Sequence, residues 1–226
     1  MKRSKKDRIL REARLIPGYL FVLLWVVAVF VIIGWIILAS LSTTREIFKG
    51  DLVASGLQWS NFQKALFSNK LIVNLMNSTI YTVPSCILII LVCAPAAYCL
   101  SRFRFFGNQA FQKMILTGLS IPSIMIVMPL CSIISALNMS GSRFTMIFLY
   151  TATSVPYTTY FLMTFFKGIS NTYAEAATID GCGQVQCFWR IMFPLAQPAV
   201  VTVTIFNFIT IWNEYFLALV FANKTD

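Results

Sequence analysis

The chain contains no histidine, and only 12% of its residues are charged. Soluble domains carry roughly 25% charged residues, so an ordinary water-exposed globule is excluded. Lack of histidine removes the most common general base and metal ligand. No apolar segment holds a pair of carboxylates either, so an intramembrane hydrolase or metal enzyme has little support. No G-x-x-x-x-G-K-[ST] is present, which excludes ATP binding by that route. The six cysteines (Cys86, Cys93, Cys99, Cys131, Cys182 and Cys187) fall in apolar segments or in one polar loop, and no disulfide framework is expected. Cys182 and Cys187 are spaced C-x4-C with no second pair, so small-residue packing describes them better than zinc. Acids are also scarce, 8 against 18 Lys and Arg.

What the chain has instead is long uncharged runs, over 15–44, 71–101, 114–142, 144–166 and 191–213. About 20 apolar residues cross the hydrocarbon core. The runs predict an all-α polytopic transmembrane bundle with five spans, about 16–41, 71–99, 111–138, 144–166 and 197–222. Prolines inside them are tolerated because neighbouring helices satisfy the freed carbonyls. Residues 1–14 form a basic tail, and the apolar run after it is too long for a signal peptide, so it reads as a retained first span. With the N-terminus inside, the inner segments hold 12 basic residues and the outer ones 6. That bias follows the positive-inside rule and places residues 102–113 and 167–190 in the cytoplasm. A basic tail beside anionic lipid accounts for most of the +10 net charge without nucleic acid.

The polar interlude 175–198, EAATIDGCGQVQCFWRIMFPLAQP, separates the last two spans. Thr172-x-x-Glu175 matches a capping box, and Asp180-Gly181 reads as a left-handed helix stop. A second helix is expected with Val185, Phe188, Trp189 and Met192 on one apolar face, broken at Pro194 before the last span. Helices this short are marginal alone, so they must dock on the bundle or on a partner. The outer segment 42–70 has room for a short interfacial helix. Within the spans, Asn74, Asn77, Ser78, Thr79 and Thr82 cluster in the second. Tyr150, Ser154, Tyr157 and Phe161 share a face of the fourth, and Asn207, Thr210 and Glu214 recur along the fifth.

Glu175-Ala176-Ala177-x-x-Asp180-Gly181, followed by Phe188, Ile191, Pro194 and Pro198, resembles the EAA loop of permease subunits of type I ATP-binding-cassette importers, the MetI-like family. NSTIYTV, AAYCLSRFRFFG, PYTTYFLMTFFKGISNTYAEAATIDG and WNEYFLALVF resemble its carbohydrate branch, the maltose-transporter-type permease most of all. The resemblance implies a multi-pass subunit of the bacterial inner (plasma) membrane, with a transmembrane permease domain over 15–222 and a cytoplasmic coupling loop over 172–194. It also implies three partners: an ATPase dimer that binds ATP and magnesium, a second permease subunit, and an extracellular or periplasmic solute-binding protein. The chain itself is expected to hold no cofactor and to catalyse no reaction. The family normally has six spans, and this sequence shows five, so a sixth C-terminal span is expected to be missing. Cys182 stands where the family usually has alanine.

The resemblance assigns ATPase coupling to Glu175, Ala176, Ala177, Asp180, Gly181, Phe188 and Pro194. For Glu175 a capping role and a contact to a basic partner are compatible, Asp180 divides evenly between the two, and Gly181 sets the angle between the helices. For the solute path the candidates are Asn77, Tyr150, Ser154, Tyr157, Asn207 and Glu214. An ionisable group such as Glu214 within a span is a functional candidate by default, against a solvated position at the outer interface. The tyrosine face can stack on a pyranose, against simple helix packing with polar glue. The expected function is a carbohydrate importer subunit that couples ATPase motion to alternating access. Its rivals are a permease for phosphate, amino acids or peptides, and a truncated, non-transporting interaction subunit.

Overall fold

A computed structural model describes residues 5–68 and 70–221. Residues 1–4 of the basic tail, the expected end of the last span at 222 and the terminus 223–226 lie outside the described residues. Among the described residues every regular element is helical, as an all-α bundle requires. The chain divides into two compact units, Met1–Val73 and Asn74–Asp226.

In the first unit α1 (Lys5–Ser40) is one helix of 36 residues. Its Leu15–Ser40 portion is long and apolar enough to cross a membrane. The segment after it folds into a hydrogen-bonded knot holding two short helices rather than the one expected. These are α2 (Thr44–Lys49) and α3 (Ser60–Gln63), the latter continuing into a π-turn over Lys64–Ser68. Thr43 caps α2 with its backbone extended (φ −76°, ψ 155°). Its Oγ1 accepts the Glu46 N–H, and Thr43 N–H donates to Glu46 Oε2 at 2.8 Å. Glu46 Oε1 takes both the N–H and the hydroxyl of Ser55 at 2.6 Å. The hydroxyl of Ser55, then the amides of Thr43 and Ser55, pull the Glu46 carboxyl down from 4.5 to about 2. Gly50, at φ +82°, ends α2 in the left-handed conformation. Asn61 Nδ2 closes the knot on the carbonyls of Ser40 and Ser42.

The second unit is built around α4 (Leu71–Arg102), which carries Pro84 and Pro95 within it. Ser85, Ile89, Cys93 and Ala97 recur every four residues along its buried side. Mostly small side chains there let a neighbouring helix approach closely. Ser85 Oγ accordingly lies 3.3 Å from Ile147 O, and Cys93 Sγ 3.9 Å from Val155 O. The third expected span is not continuous. It is α5 (Asn108–Leu119), a 3₁₀ turn over Ser123–Ile126, and α6 (Val127–Ala136), with α5 and the Ile124–Ala136 stretch bent by 99°. Pro122 supplies the reason: it lacks an N–H for the ladder and biases Ile121 away from helical geometry.

The fourth expected span corresponds to α7 (Arg143–Gly168), a continuous helix whose two charges, Arg143 and Lys167, sit at its ends but which is not among the helices apolar enough to qualify as a span. It packs on α5 and on the later helix over Gln197–Trp212. A Cβ on Gly118 of α5 would stand 3.2 Å from Pro156 Cγ of α7, so the approach depends on glycine. The polar interlude holds α8 (Thr172–Ile179), then α9 (Gln184–Cys187), a π-turn over Phe188–Met192, and α10 (Phe193–Leu195). Pro194 does not break this stretch, contrary to expectation. The helix widens into the π-turn just before the proline, which removes an N–H from the ladder, and the chain bends by 73° at Ala196 instead. The last expected span is also divided, into α11 (Gln197–Trp212) and α12 (Phe216–Phe221). Among the described residues two helices, Leu15–Ser40 and Leu71–Arg102, are long and apolar enough to cross a membrane singly, and two bent pairs qualify only together, so at most four spans stand where five were expected.

Candidate functional site

The polar interlude is anchored by its apolar side chains. Phe188 and Met192 are buried, and the Phe188 ring lies 5.1 Å from Tyr98 and 6.4 Å from Phe166. Tyr98 meets Phe166 edge-on at 5.6 Å. The ends of α4 and α7 and the π-turn therefore share one aromatic cluster. The four-residue apolar face expected for the second helix is split. Phe188 and Met192 enter the bundle together with Cys187, while Val185 is 73% exposed and Trp189 remains half-exposed. The contact stripe is centred on the first pair, and the outer two lie beyond its edge.

The helix stop at Gly181 forms as the sequence predicts. Gly181 adopts φ +82°, its N–H donates to Thr178 O, and Cys182 N–H donates to Ala177 O at 2.9 Å. These two bonds form a Schellman motif. The capping box expected at the other end does not form. The N-cap is Asn171, not Thr172, so Glu175 falls one place beyond the position that could close a box. Asn171 is helical (φ −65°, ψ −25°), and its side-chain oxygen accepts instead from Arg102. The hydroxyl of Thr172 pairs with that of Ser170. Glu175, Ala176 and Asp180 are all exposed, Ala177 is buried, and Pro194 is exposed. Among the coupling candidates, then, Ala177 and Phe188 hold the loop in place, Gly181 turns it, and Glu175, Ala176 and Asp180 face outward.

The solute-path candidates converge on a separate cleft of about 660 Å³, which Tyr150, Ser154, Tyr157, Asn207 and Glu214 line. Asn77 is in a neighbouring pocket of about 270 Å³ that shares Tyr150 and Glu214 with the larger one. The pair between them is hydrogen-bonded: Tyr150 OH donates to Glu214 Oε2 at 3.1 Å. Glu214 also accepts the N–H groups of Leu217 and Ala218 at 2.7 and 3.1 Å. The carboxylate thereby satisfies the start of α12 and fixes the break after α11, where backbone amides would otherwise be orphaned. Glu214 is half-buried, so neither the fully solvated nor the isolated intramembrane reading describes it. Asn207 is buried, and its Nδ2 donates to Thr158 Oγ1 at 2.9 Å, joining α11 to α7. Glue between helices is its first role, beside its place on the cleft wall. Tyr157 is 41% exposed and stacks obliquely on Phe161.

Sequence reasoning missed the residues that brace the loop. Arg102, at the end of α4, donates to the carbonyls of Phe166 and Ile169 as well as to Asn171. It pins the last turn of α7, whose carbonyls have no partners within the helix. The signal was a cation closing a 31-residue uncharged run. Tyr98 and Phe166 gave no comparable signal, since an aromatic in a span is usually plain packing.

The sequence profile of the binding-protein-dependent transport system inner membrane component family matches residues 87–226. The diacetylchitobiose uptake system permease protein NgcG of Streptomyces coelicolor is 31% identical to this chain, over 92% of it and 70% of NgcG. The sulfoquinovosyl glycerol transport system permease protein SmoH of Agrobacterium fabrum is 32% identical, over 83% of this chain and 66% of SmoH. A chain of the crystal structure of a bacterial ABC transporter involved in the import of the acidic polysaccharide alginate shares the fold, with a TM-score of 0.82 and 24% identity, covering 98% of this chain and 77% of that one. The chain belongs to the family of inner-membrane permease components of binding-protein-dependent ABC importers, transport subunits rather than enzymes.

Proposed function

We propose that this permease subunit imports a sugar or oligosaccharide and is driven through its 172–194 loop by an ATPase subunit that binds ATP and magnesium. The observation that carries the coupling reading is the division of labour within the loop. Phe188 and Met192 are sunk into the bundle, while Glu175, Ala176, Ile179 and Val185 stand exposed around the Gly181 turn. A short helix that shows small and apolar side chains with one free carboxylate suits a groove with a basic rim. The loop is also tied to α4 and α7 by the Tyr98–Phe166–Phe188 cluster and by Arg102. Force applied at Glu175 therefore reaches the helices that line the cleft. An ATPase that holds the loop differently in two states biases two packings of the bundle, which is alternating access as rigid-body switching.

The carbohydrate reading rests on the cleft and on the relatives. Tyr157 offers an exposed ring for the apolar face of a pyranose, and Ser154, Asn207 and Glu214 offer groups for its hydroxyl edge. The transport-system names of the relatives include a chitobiose derivative and a sulfoquinovosyl glycerol. A second permease subunit would complete the path, and the positive-inside rule would put the basic tail in the cytoplasm.

The test is reconstitution of the assembled transporter in proteoliposomes with its binding protein, followed by ATP-dependent uptake of labelled sugars, phosphate, amino acids and peptides. Uptake of a sugar alone is expected, with the Tyr157→Ala variant lowering it at subsaturating sugar. Uptake of phosphate, amino acid or peptide in place of sugar would overturn the carbohydrate reading and leave the permease family untouched.

A further inference from the structure

A second cleft, of about 900 Å³, opens where the ends of α4 and α7 meet the start of α5. Three cations line it, Arg102, Arg104 and Lys167, together with the amides of Asn108, Gln112 and Asn171, and no acidic residue does. The amides are fixed in place: Asn108 Nδ2 donates to Leu100 O and Phe103 O, and Gln112 Nε2 donates to Leu100 O. Lys167 Nζ donates once, to Gln112 Oε1 at 3.0 Å, which leaves two of its three donors for a ligand. Arg104 is exposed. Arg102 spends its terminal nitrogens on Phe166, Ile169 and Asn171, and its Nε has no acceptor among the described residues.

The start of α5 adds to the same field. This 12-residue helix begins after Gly107, at φ +88°, which provides no side-chain cap for the first-turn amides. Gly107, Asn108 and Gln109 border the cleft. An uncapped helix N-terminus presents N–H groups and a partial positive charge to whatever sits before it. The Asn108 N–H is taken by Phe105 O at 3.1 Å, and the next amides of the first turn stay open, so cations and the start of a helix converge on one space with no counter-charge.

We propose that this cleft binds a phosphate group carried by an anionic ligand, either the headgroup of a lipid or a free phosphate. Basic pockets between transmembrane helices hold anionic headgroups, and the surroundings favour the lipid source. Phe105, Phe106 and Phe111 stand exposed beside the cations, in the arrangement by which aromatic rings settle at a membrane–water interface. Phe111 also touches Phe105, at 6.3 Å between ring centroids. A headgroup seated between Arg104 and Lys167 would bridge the ends of α4 and α7, next to Arg102, which braces the loop. The site is distinct from the solute cleft and from the outward-facing residues of the loop.

The experiment is native mass spectrometry of the assembled transporter in detergent, titrated separately with phosphatidylglycerol, phosphatidylcholine and inorganic phosphate. Phosphatidylglycerol is expected to bind in preference to phosphatidylcholine. The double variant Arg104→Gln/Lys167→Gln should weaken it roughly thirty-fold, the loss for two cations near an anionic group. Arg102 is left intact because it holds the loop. The control Lys113→Gln/Arg190→Gln removes the same charge outside the cleft and should weaken binding less than about threefold. Binding of inorganic phosphate with the same dependence on Arg104 and Lys167, without lipid preference, would confirm the site and assign a soluble source. Equal losses in both double variants, or no binding of either probe, would overturn the proposal. Matching melting temperatures of the two double variants keep misfolding out of the comparison.

Discussion

The sequence Thr-x-x-Glu opens a short helix twice in this chain, at Thr43–Glu46 and at Thr172–Glu175. In the first, Thr43 is the N-cap, its backbone is extended, and the carboxylate closes on the Thr43 amide and on Ser55. In the second, the cap falls one residue earlier, at Asn171, whose side chain Arg102 holds for its own contact. Glu175 is then out of register, and its carboxylate faces solvent. A one-residue offset separates a carboxylate spent on its own helix from one left for a partner. The difference also suits the two places. The knot after α1 must hold itself together with few apolar contacts, whereas the loop is held by Phe188 and can leave its polar end open.

The contrast predicts opposite consequences for the same kinds of mutation. Phe188→Ala should have the largest effect, because the loop depends on that ring rather than on its cap. Truncating a buried phenylalanine costs about 3–5 kcal/mol. Amide hydrogen exchange across 172–195 should rise sharply, while protection over 43–50 stays as it was. If the loop keeps its protection, the aromatic cluster is not its anchor. Glu175→Lys should come next and act on function alone. An exposed side chain with no local partner leaves stability within about 0.5 kcal/mol, yet reversing its charge against a basic groove should lower uptake per ATP hydrolysed by about tenfold. Unchanged uptake in proteoliposomes would mean that this carboxylate is not the partner contact.

The same pair of sites marks what the sequence could and could not tell. Gly181 was legible, since a glycine after Asp180 between two helical stretches has one strong reading and the left-handed stop is there. The second T-x-x-E was misread as a box because the choice of cap depends on Arg102, 69 residues away. The uncharged runs do coincide with helices, yet among the described residues only Leu15–Ser40 and Leu71–Arg102 qualify singly as spans, and the interruptions of the others were not legible. Pro122 breaks α5 from α6, whereas Pro84, Pro95 and Pro156 sit inside unbroken helices. Only packing decides which proline is accommodated. The break after Trp212 is held by Glu214, whose partners come from α7 and α12. The candidates for a solute path line two adjoining pockets, but Asn207 proved to be pinned to Thr158. No feature of the sequence identified Thr158 as that partner.

The smaller predictions test the closed box. Thr43→Ala removes the cap that Asn171 never supplies in α8, and loss of such a cap costs about 1 kcal/mol. Faster amide exchange confined to α2 would report it, with coupling of uptake to ATP hydrolysis unaffected. The corresponding change in the loop, Thr172→Ala, should leave α8 exchange close to wild type, because that hydroxyl bonds only Ser170.

Acid should test the bonds to Glu46 more finely still. The Ser55 hydroxyl and the Thr43 and Ser55 amides bind the ionised form of Glu46 and lower its pKa from 4.5 to about 2. A depressed folded-state pKa means that this stabilisation is complete above the unfolded value and is lost as pH falls toward the folded one. The knot should therefore hold down to about pH 4.5 and loosen progressively between there and about pH 2. The measurement is the carboxyl infrared band of the chain against a Glu46→Gln variant. The band assigned to Glu46 should protonate near pH 2, and Ser55→Ala should move its midpoint upward because the largest stabilising bond has gone. A midpoint that ignores Ser55 would mean that the box does not hold the Glu46 carboxylate, and the contrast between the two helices would collapse.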